Sequence, residues 1–183
     1  MENLLRRVFK FMNKTFMVPI FRLGLGSYIG NPFTGYIMIL KTIGRKSGLV
    51  RYTPVNYAIW RGNVYCMAGF GERTDWYQNL QANSHLEIIL PGRYLAGIAE
   101  DASGSEEFNQ IIRQILKNGG FAGFFAGFNP YRISEAEFQD KVKDYPLVRI
   151  RPIGVGGGAY DAGGWFWILC FVVTVLIVWL IIH

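Results

Sequence analysis

From Gly35 onward, apolar residues fall in short β-rich runs separated by turn residues. Runs of this kind predict strands over Tyr36 to Lys41, Arg51 to Trp60, Val64 to Ala68, Leu86 to Leu90, Arg93 to Glu100 and Leu147 to Ile153. Arg61-Gly62-Asn63 and Pro91-Gly92 are turn signals that make hairpins of the second and third runs and of the fourth and fifth. Thr74 or Asp75 is placed to start a short helix through Trp76, Tyr77 and Leu80 to about Asn83. Capping-box patterns at Ser103/Glu106 and Ser134/Glu137 predict further helices, ending near Asn118 and Lys143. The expected fold is therefore α+β: a small antiparallel barrel with inserted helices.

The two ends of the chain follow other patterns. Leu4, Leu5, Phe9, Met12, Phe16 and Met17 form a helical stripe, with Arg6, Arg7, Lys10 and Lys14 among them. Such a helix either lies on an anionic membrane surface or packs on its own domain. Its charges leave no uninterrupted apolar core of the kind a signal peptide needs. Gly24, Gly26 and Gly30 do not make a dinucleotide fingerprint, because no strand precedes them and the spacing is wrong. At the other end, Trp165 to Ile182 contains no charge, Gly or Pro. The expectation is a transmembrane helix of roughly 27 Å, approached through a glycine-rich tether over 154–164. Lys141, Lys143, Arg149 and Arg151 precede it, which would place the domain in the cytoplasm. The expected organisation is thus a basic helical region over 1–33, a barrel domain over 34–153, the tether, and a C-terminal transmembrane helix over 165–182.

Charge and composition narrow the chemistry. The 183 residues carry a net charge of +6, which suits anionic lipid, nucleic acid or a polyanionic cofactor. Two cysteines, Cys66 and Cys170, provide neither a disulfide framework nor a metal cluster. No paired carboxylates and no Ser-His-Asp set are visible, and His85 reads as a surface residue. The most informative stretch is Thr42 to Arg51, where Gly44 and Gly48 bracket Arg45, Lys46 and Ser47 in a connection between strands. Glycine lets a backbone approach an anion closely, and the three side chains supply donors for a phosphate or carboxylate. It is not a P-loop, since the Gly-Lys-Ser/Thr order and the following helix are missing.

That loop is followed by Thr53-Pro54 and Tyr57, by Gly69-Phe70-Gly71, and by Asp75-Trp76-Tyr77-Gln78-Asn79-Leu80-Gln81-Ala82-Asn83. In this order the motifs resemble the deazaflavin-dependent nitroreductase family, split β-barrel oxidoreductases that use reduced coenzyme F420. The resemblance spans about Ile37 to Ile153. It implies that Arg45, Lys46, Ser47, Gly48 and Arg51 hold the cofactor's phosphate and acidic tail, with FMN the alternative cofactor. Pro54, Asn56, Gly69, Phe70 and Gly71 would lie beside the ring. Trp76 and Tyr77 would either border the cofactor groove or simply pack the core. Phe121, Phe124, Phe125, Phe128 and Tyr131 would form an apolar acceptor wall, or else a cover for the barrel. Tyr57 and Tyr131 are the candidates for proton donation. The chain departs from other members at Asn56, where some carry an aromatic residue, and at Gly69-Phe70, where some carry Ser-Lys.

The activity implied is hydride transfer from reduced F420 to a lipophilic acceptor such as a quinone, or to a nitro compound. The partners expected are a lipid bilayer and that small-molecule acceptor, without nucleic acid. A non-catalytic barrel binding flavin, haem or lipid, or an accessory subunit of a membrane complex, is the alternative.

Overall fold

The alternating runs do form strands, and each inward side chain enters one shared core. A computed structural model describes residues 11–31, 34–120, 129–157 and 166–182. Its strands are β1 (Ile37–Ile43), β2 (Val50–Trp60), β3 (Asn63–Met67), β4 (His85–Leu90), β5 (Arg93–Asp101) and β6 (Leu147–Val155). They close into a barrel in the order β1-β2-β3-β6-β5-β4, with every neighbouring pair antiparallel. Period two decides what lies inside. Met38 and Leu40, Val64 and Cys66, Leu86, Ile88 and Leu90, and Val148 and Ile150 all point inward, with Val55, Tyr57, Leu95 and Ala99 packed against them. The β2–β3 hairpin turns on Arg61 and Gly62, both at positive φ (47° and 79°). Two successive left-handed residues match the twist of a tight hairpin, and glycine takes that conformation without strain.

One barrel end is plugged by α3 (Asp75–Ala82), which inserts Trp76, Tyr77 and Leu80 into the core. Helices cover two outer faces. A π-helical turn, Asn13–Met17, runs into α1 (Val18–Arg22), and α2 (Gly26–Ile29) follows. Val18 and Phe21 pack on the outward side chains Ile39 and Ile89. This segment therefore docks on its own domain, while Phe11, Met12 and Phe16 remain exposed. The other cover is α4 (Phe108–Asn118) with α5 (Glu135–Val142). Ile111, Ile112, Ile115 and Phe138 bury themselves there against Ala58, Tyr65 and Leu147. Ser134 caps α5 as expected, accepting from the Glu137 N–H at 3.3 Å. Ser103 does not cap α4, which starts at Phe108. Its hydroxyl instead donates to Asp101 Oδ1 (2.7 Å) and accepts from the Leu147 N–H (3.0 Å).

The expected transmembrane helix requires correction. The C-terminal helix α6 is Phe166–Ile182, 17 residues. At 1.5 Å per residue it reaches about 25 Å, short of a hydrocarbon core of about 30 Å. Among the described residues, no helix is long and apolar enough to cross a membrane. Trp165, counted in the expected span, lies outside the described residues. The single-pass anchor and the cytoplasm-facing orientation built on it lose their basis together, because a charge bias orients a span only where there is one.

Candidate functional site

The barrel is unevenly paired, and the unevenness defines the site. β1 and β2 run side by side from Ile37 opposite Asn56 to Ile43 opposite Val50. β2 and β3 pair only from Tyr57 opposite Cys66 to Trp60 opposite Asn63. Residues 50–56 of β2 thus have one strand neighbour and one open edge among the described residues. The Tyr57 N–H donates toward β1, to Tyr36 O at 3.3 Å. Because backbone groups alternate between edges, the amide positions of residues 52, 54 and 56 face the open side. Pro54 stands at one of them. A proline without an N–H costs no ladder bond at an open edge, which explains its place within an eleven-residue strand.

At the upstream end of this edge, the glycine-bracketed loop divides its basic residues between two tasks. Arg45 is turned onto α3. Its N–H and its Nη1 each donate to Asn79 Oδ1 at 3.1 Å, Nη1 and Nη2 reach Asp75 Oδ1 at 3.3 Å, and Nη2 also donates to Gln78 Oε1. Asn79 is buried, so the tie is an interior one on its side. Lys46, Ser47, Gly48 and Arg51 are exposed. The Arg51 guanidinium donates to Ser47 Oγ at 3.2 Å, which holds that hydroxyl and that cation side by side. Lys46 is engaged by no other group among the described residues. The outward donor set for an anion is therefore Lys46, Ser47 and Arg51, with Arg45 fixing the loop from behind.

At the downstream end stand two tyrosines. Tyr57 is half-buried, and Tyr36 would be the next β1–β2 pair beyond Ile37 and Asn56. Burial first, and the Tyr36 phenol second, push the Tyr57 hydroxyl above the ordinary tyrosine range. Tyr57 therefore stays protonated and able to donate. Asn56 donates from Nδ2 to Tyr36 O at 3.2 Å. Tyr131, the other expected donor, is exposed, its hydroxyl donating to Lys117 O at 3.3 Å. Phe121, Phe124, Phe125 and Phe128 lie outside the described residues.

Gly69-Phe70-Gly71 leaves β3 with Phe70 exposed, and the Ala68 N–H donates to Pro146 O at 2.9 Å. Toward β6 this loop borders a groove of about 610 Å³, lined among others by Phe70, Tyr77, Asp101, Ser103 and Tyr145. Trp76 and Tyr77 sit edge to face, ring centroids 6.2 Å apart, and both are buried in the barrel core. Burial, then Asp101, raise the Tyr77 hydroxyl's pKa, and a hydrogen bond with Gln81 opposes them. Their principal contacts are packing contacts. No cluster of His, Cys, Asp or Glu among the described residues could hold a metal.

The chain matches the model of the family described as F420H(2)-dependent quinone reductase over residues 18–121, more than half its length. It belongs to that family. This F420-dependent reductase is accordingly an oxidoreductase with coenzyme F420 as its cofactor. Curated proteins give no sequence match. Among solved structures it is similar to an F420-H2 dependent reductase (FDR-A), at 23% identity and TM-score 0.42 over 63% of this chain and 93% of that one. It is also similar to a conserved hypothetical protein from Mycobacterium tuberculosis, at 14% identity and TM-score 0.49 over 72% and 81%. A third is the haem storage protein HutZ of Vibrio cholerae, at 14% identity and TM-score 0.46 over 78% and 94%.

The residues present suit such a cofactor. An anionic tail would find the exposed cations Lys46 and Arg51, and a flat ring would find a strand edge on which Pro54 carries no unpaired amide. Three residues escaped the sequence reading. Asn79, a buried amide inside an amphipathic helix, was the one with a local signal. Tyr36 and Asn118 had none, since they meet only where α4 ends against the barrel, the Asn118 main-chain oxygen accepting from the Tyr36 N–H at 2.7 Å.

Proposed function

We propose that this F420-dependent reductase reduces a lipophilic quinone-type acceptor at the open edge of β2. The observation that carries the reading is that edge, open from the anion-ready Arg51 to Asn56 and closed by the half-buried, protonated Tyr57 where β3 joins. Lys46, Ser47 and Arg51 hold the cofactor's acidic tail by charge-assisted bonds. Pro54 and Asn56 would flank its ring, together with the Gly69 to Gly71 loop that leaves β3. Trp76 and Tyr77 fix α3, and through Asn79 the loop that carries the donors. Bound there, reduced F420 supplies the hydride, and the protein contributes orientation, exclusion of water and a proton. Tyr57 Oη holds that proton for the acceptor oxygen and regains one from solvent, so that a quinone gains one hydride and one proton.

The family's name favours a quinone, and so does the phenylalanine-rich composition of residues 121–128. Steady-state oxidation of reduced F420 with a short-chain quinone and with a soluble nitroaromatic tests this choice. The quinone should have the higher kcat/KM; a faster rate with the nitroaromatic than with any quinone would overturn it. Tyr57→Phe should lower kcat by about tenfold to a hundredfold with little change in F420 affinity, the usual range for a lost general acid. An unaltered kcat would remove Tyr57 from the role.

A further inference from the structure

The last rung between β1 and β2 is not a normal one. In a hydrogen-bonded antiparallel pair, Tyr36 and Tyr57 would exchange two bonds. Only one is made, from the Tyr57 N–H to Tyr36 O at 3.3 Å. The two remaining groups are both taken by Asn118, the last residue of α4. Its main-chain oxygen accepts from the Tyr36 N–H at 2.7 Å, and its Nδ2 donates to Tyr57 O at 2.9 Å. Its Oδ1 accepts from Gln114 Nε2 at 2.8 Å, which fixes the orientation of the amide. The approach is close: a Cβ on Gly35 would lie 2.8 Å from Gly119 O. Asn118 is thus inserted into the rung and holds the two tyrosines apart at the end of the open edge.

It does not serve as a helix cap. The end of α4 is closed by Gly119, whose N–H donates to Leu116 O at 3.1 Å. One Nδ2 hydrogen, the Oδ1 and the main-chain oxygen of Asn118 are spent on the tyrosine pair and on the brace from Gln114. From this geometry we infer that Asn118 is a positioning residue for the reductase, setting where Tyr57 stands relative to the acceptor. The inference rests on the reading of β2's open edge as the reaction site. Tyr57 touches the acceptor, and Asn118 acts through it.

The test measures kcat, acceptor KM, F420 affinity by fluorescence titration and thermal stability in the full chain. Asn118→Ala should lower kcat by about tenfold to a hundredfold, the scale of a small misplacement of a reacting group, while F420 affinity stays within about twofold of wild type. Asn118→Asp keeps the size and loses the donor. Its carboxyl, facing a carbonyl oxygen at a helix C-terminus, has its pKa raised. Protonation restores an O–H donor, so activity relative to wild type should recover as pH falls through that raised value.

If Asn118→Ala fails to fold, Gln114→Met carries the question, since Gln114 is exposed and its loss only frees the amide. It should lower kcat about twofold to fivefold, a fraction of the full misplacement effect. Wild-type kcat in both Asn118 variants overturns the inference. So does a fall in kcat matched by an equal loss of F420 affinity, or an Asn118→Asp enzyme without acid recovery. A wild-type protein that binds F420 but reduces no acceptor would overturn the proposed function and this inference together. A wild-type enzyme that turns over beside equally active Asn118 variants overturns this inference alone.

Discussion

β1 and β2 are neighbours in register, yet they are built for different purposes. β1 is flanked by β2 and β4, and Met38 through Thr42 are all buried. Over the residues that face it, β2 has no second strand neighbour among the described residues, and in its whole length only Ala58 is buried. The sequences match these environments. Ile-Met-Ile-Leu-Lys-Thr-Ile presents large apolar groups to both sides, whereas Val-Arg-Tyr-Thr-Pro-Val-Asn-Tyr mixes charge, proline and amide into a β-rich run. A strand enclosed on both edges stores stability; a strand with one free edge leaves backbone and side chains available to a ligand.

The largest effect that can break this comparison is in stability. Leu40 on β1 is fully buried in the barrel interior, and Leu40→Ala should cost about 2 to 5 kcal/mol. Val55 points into the same interior from the open half of β2, only partly buried. Val55→Ala should cost about 1 kcal/mol, because the methyls removed were never fully withdrawn from water. Urea denaturation of both variants decides between them. Equal losses would mean that something covers the β2 edge as completely as β4 covers β1.

A second, smaller effect separates the basic residues at the strand junction. Lys46→Ala or Arg51→Ala should weaken F420 binding by about tenfold to a hundredfold, the worth of one charge-assisted contact, without shifting the melting temperature. Arg45→Ala should do the reverse. Its guanidinium is bound to Asp75, Gln78 and Asn79, so its removal loosens the loop from α3. A loss of about 1 kcal/mol in stability is expected, with a modest secondary weakening of the cofactor. Binding measured by fluorescence titration beside thermal melts checks both arms. An Arg45 variant that loses as much affinity as the Lys46 variant, with its melting temperature unchanged, would return Arg45 to the anion site.

The sequence made one side of this contrast easier to read than the other. Period-two runs and two turn signals were enough to find six strands, because alternation reports a local property of the chain. What β2 lacks on its open edge is a tertiary fact, and only Pro54 hinted at it. The start of α4 was misread for the same reason. Ser103 has the look of a cap, but Asp101 and the Leu147 N–H, on strands that meet it only in the folded barrel, take its hydroxyl. At the site, the composition of the basic loop was legible and its division was not. Arg45 is drawn onto α3 by Asn79, 34 residues away along the chain. At the C-terminus hydropathy was legible, while the helix among the described residues has 17 residues.

The smallest expected effect sharpens the comparison most directly. Pro54 lies opposite Ile39, a residue that β1 places between β2 and β4. If position 54 presents its amide edge to the open side, the native proline sacrifices no hydrogen bond, and Pro54→Val adds an N–H that water satisfies. Valine also suits an extended strand, which offsets the loss of proline's restriction on the unfolded chain. The change in folding stability should stay within about 0.5 kcal/mol, as for a surface substitution. Affinity for F420 should nonetheless move, because the flat pyrrolidine face is replaced by a branched side chain and an exposed donor beside the ring. Denaturation and cofactor titration on the same preparation read the two effects separately. A marked gain in stability would show that the new N–H has found a partner, and that the edge of β2 is covered by some other part of the chain. A loss of several kcal/mol would instead show that proline's own ring is packed there, and in neither case could this edge be the place where the cofactor lies.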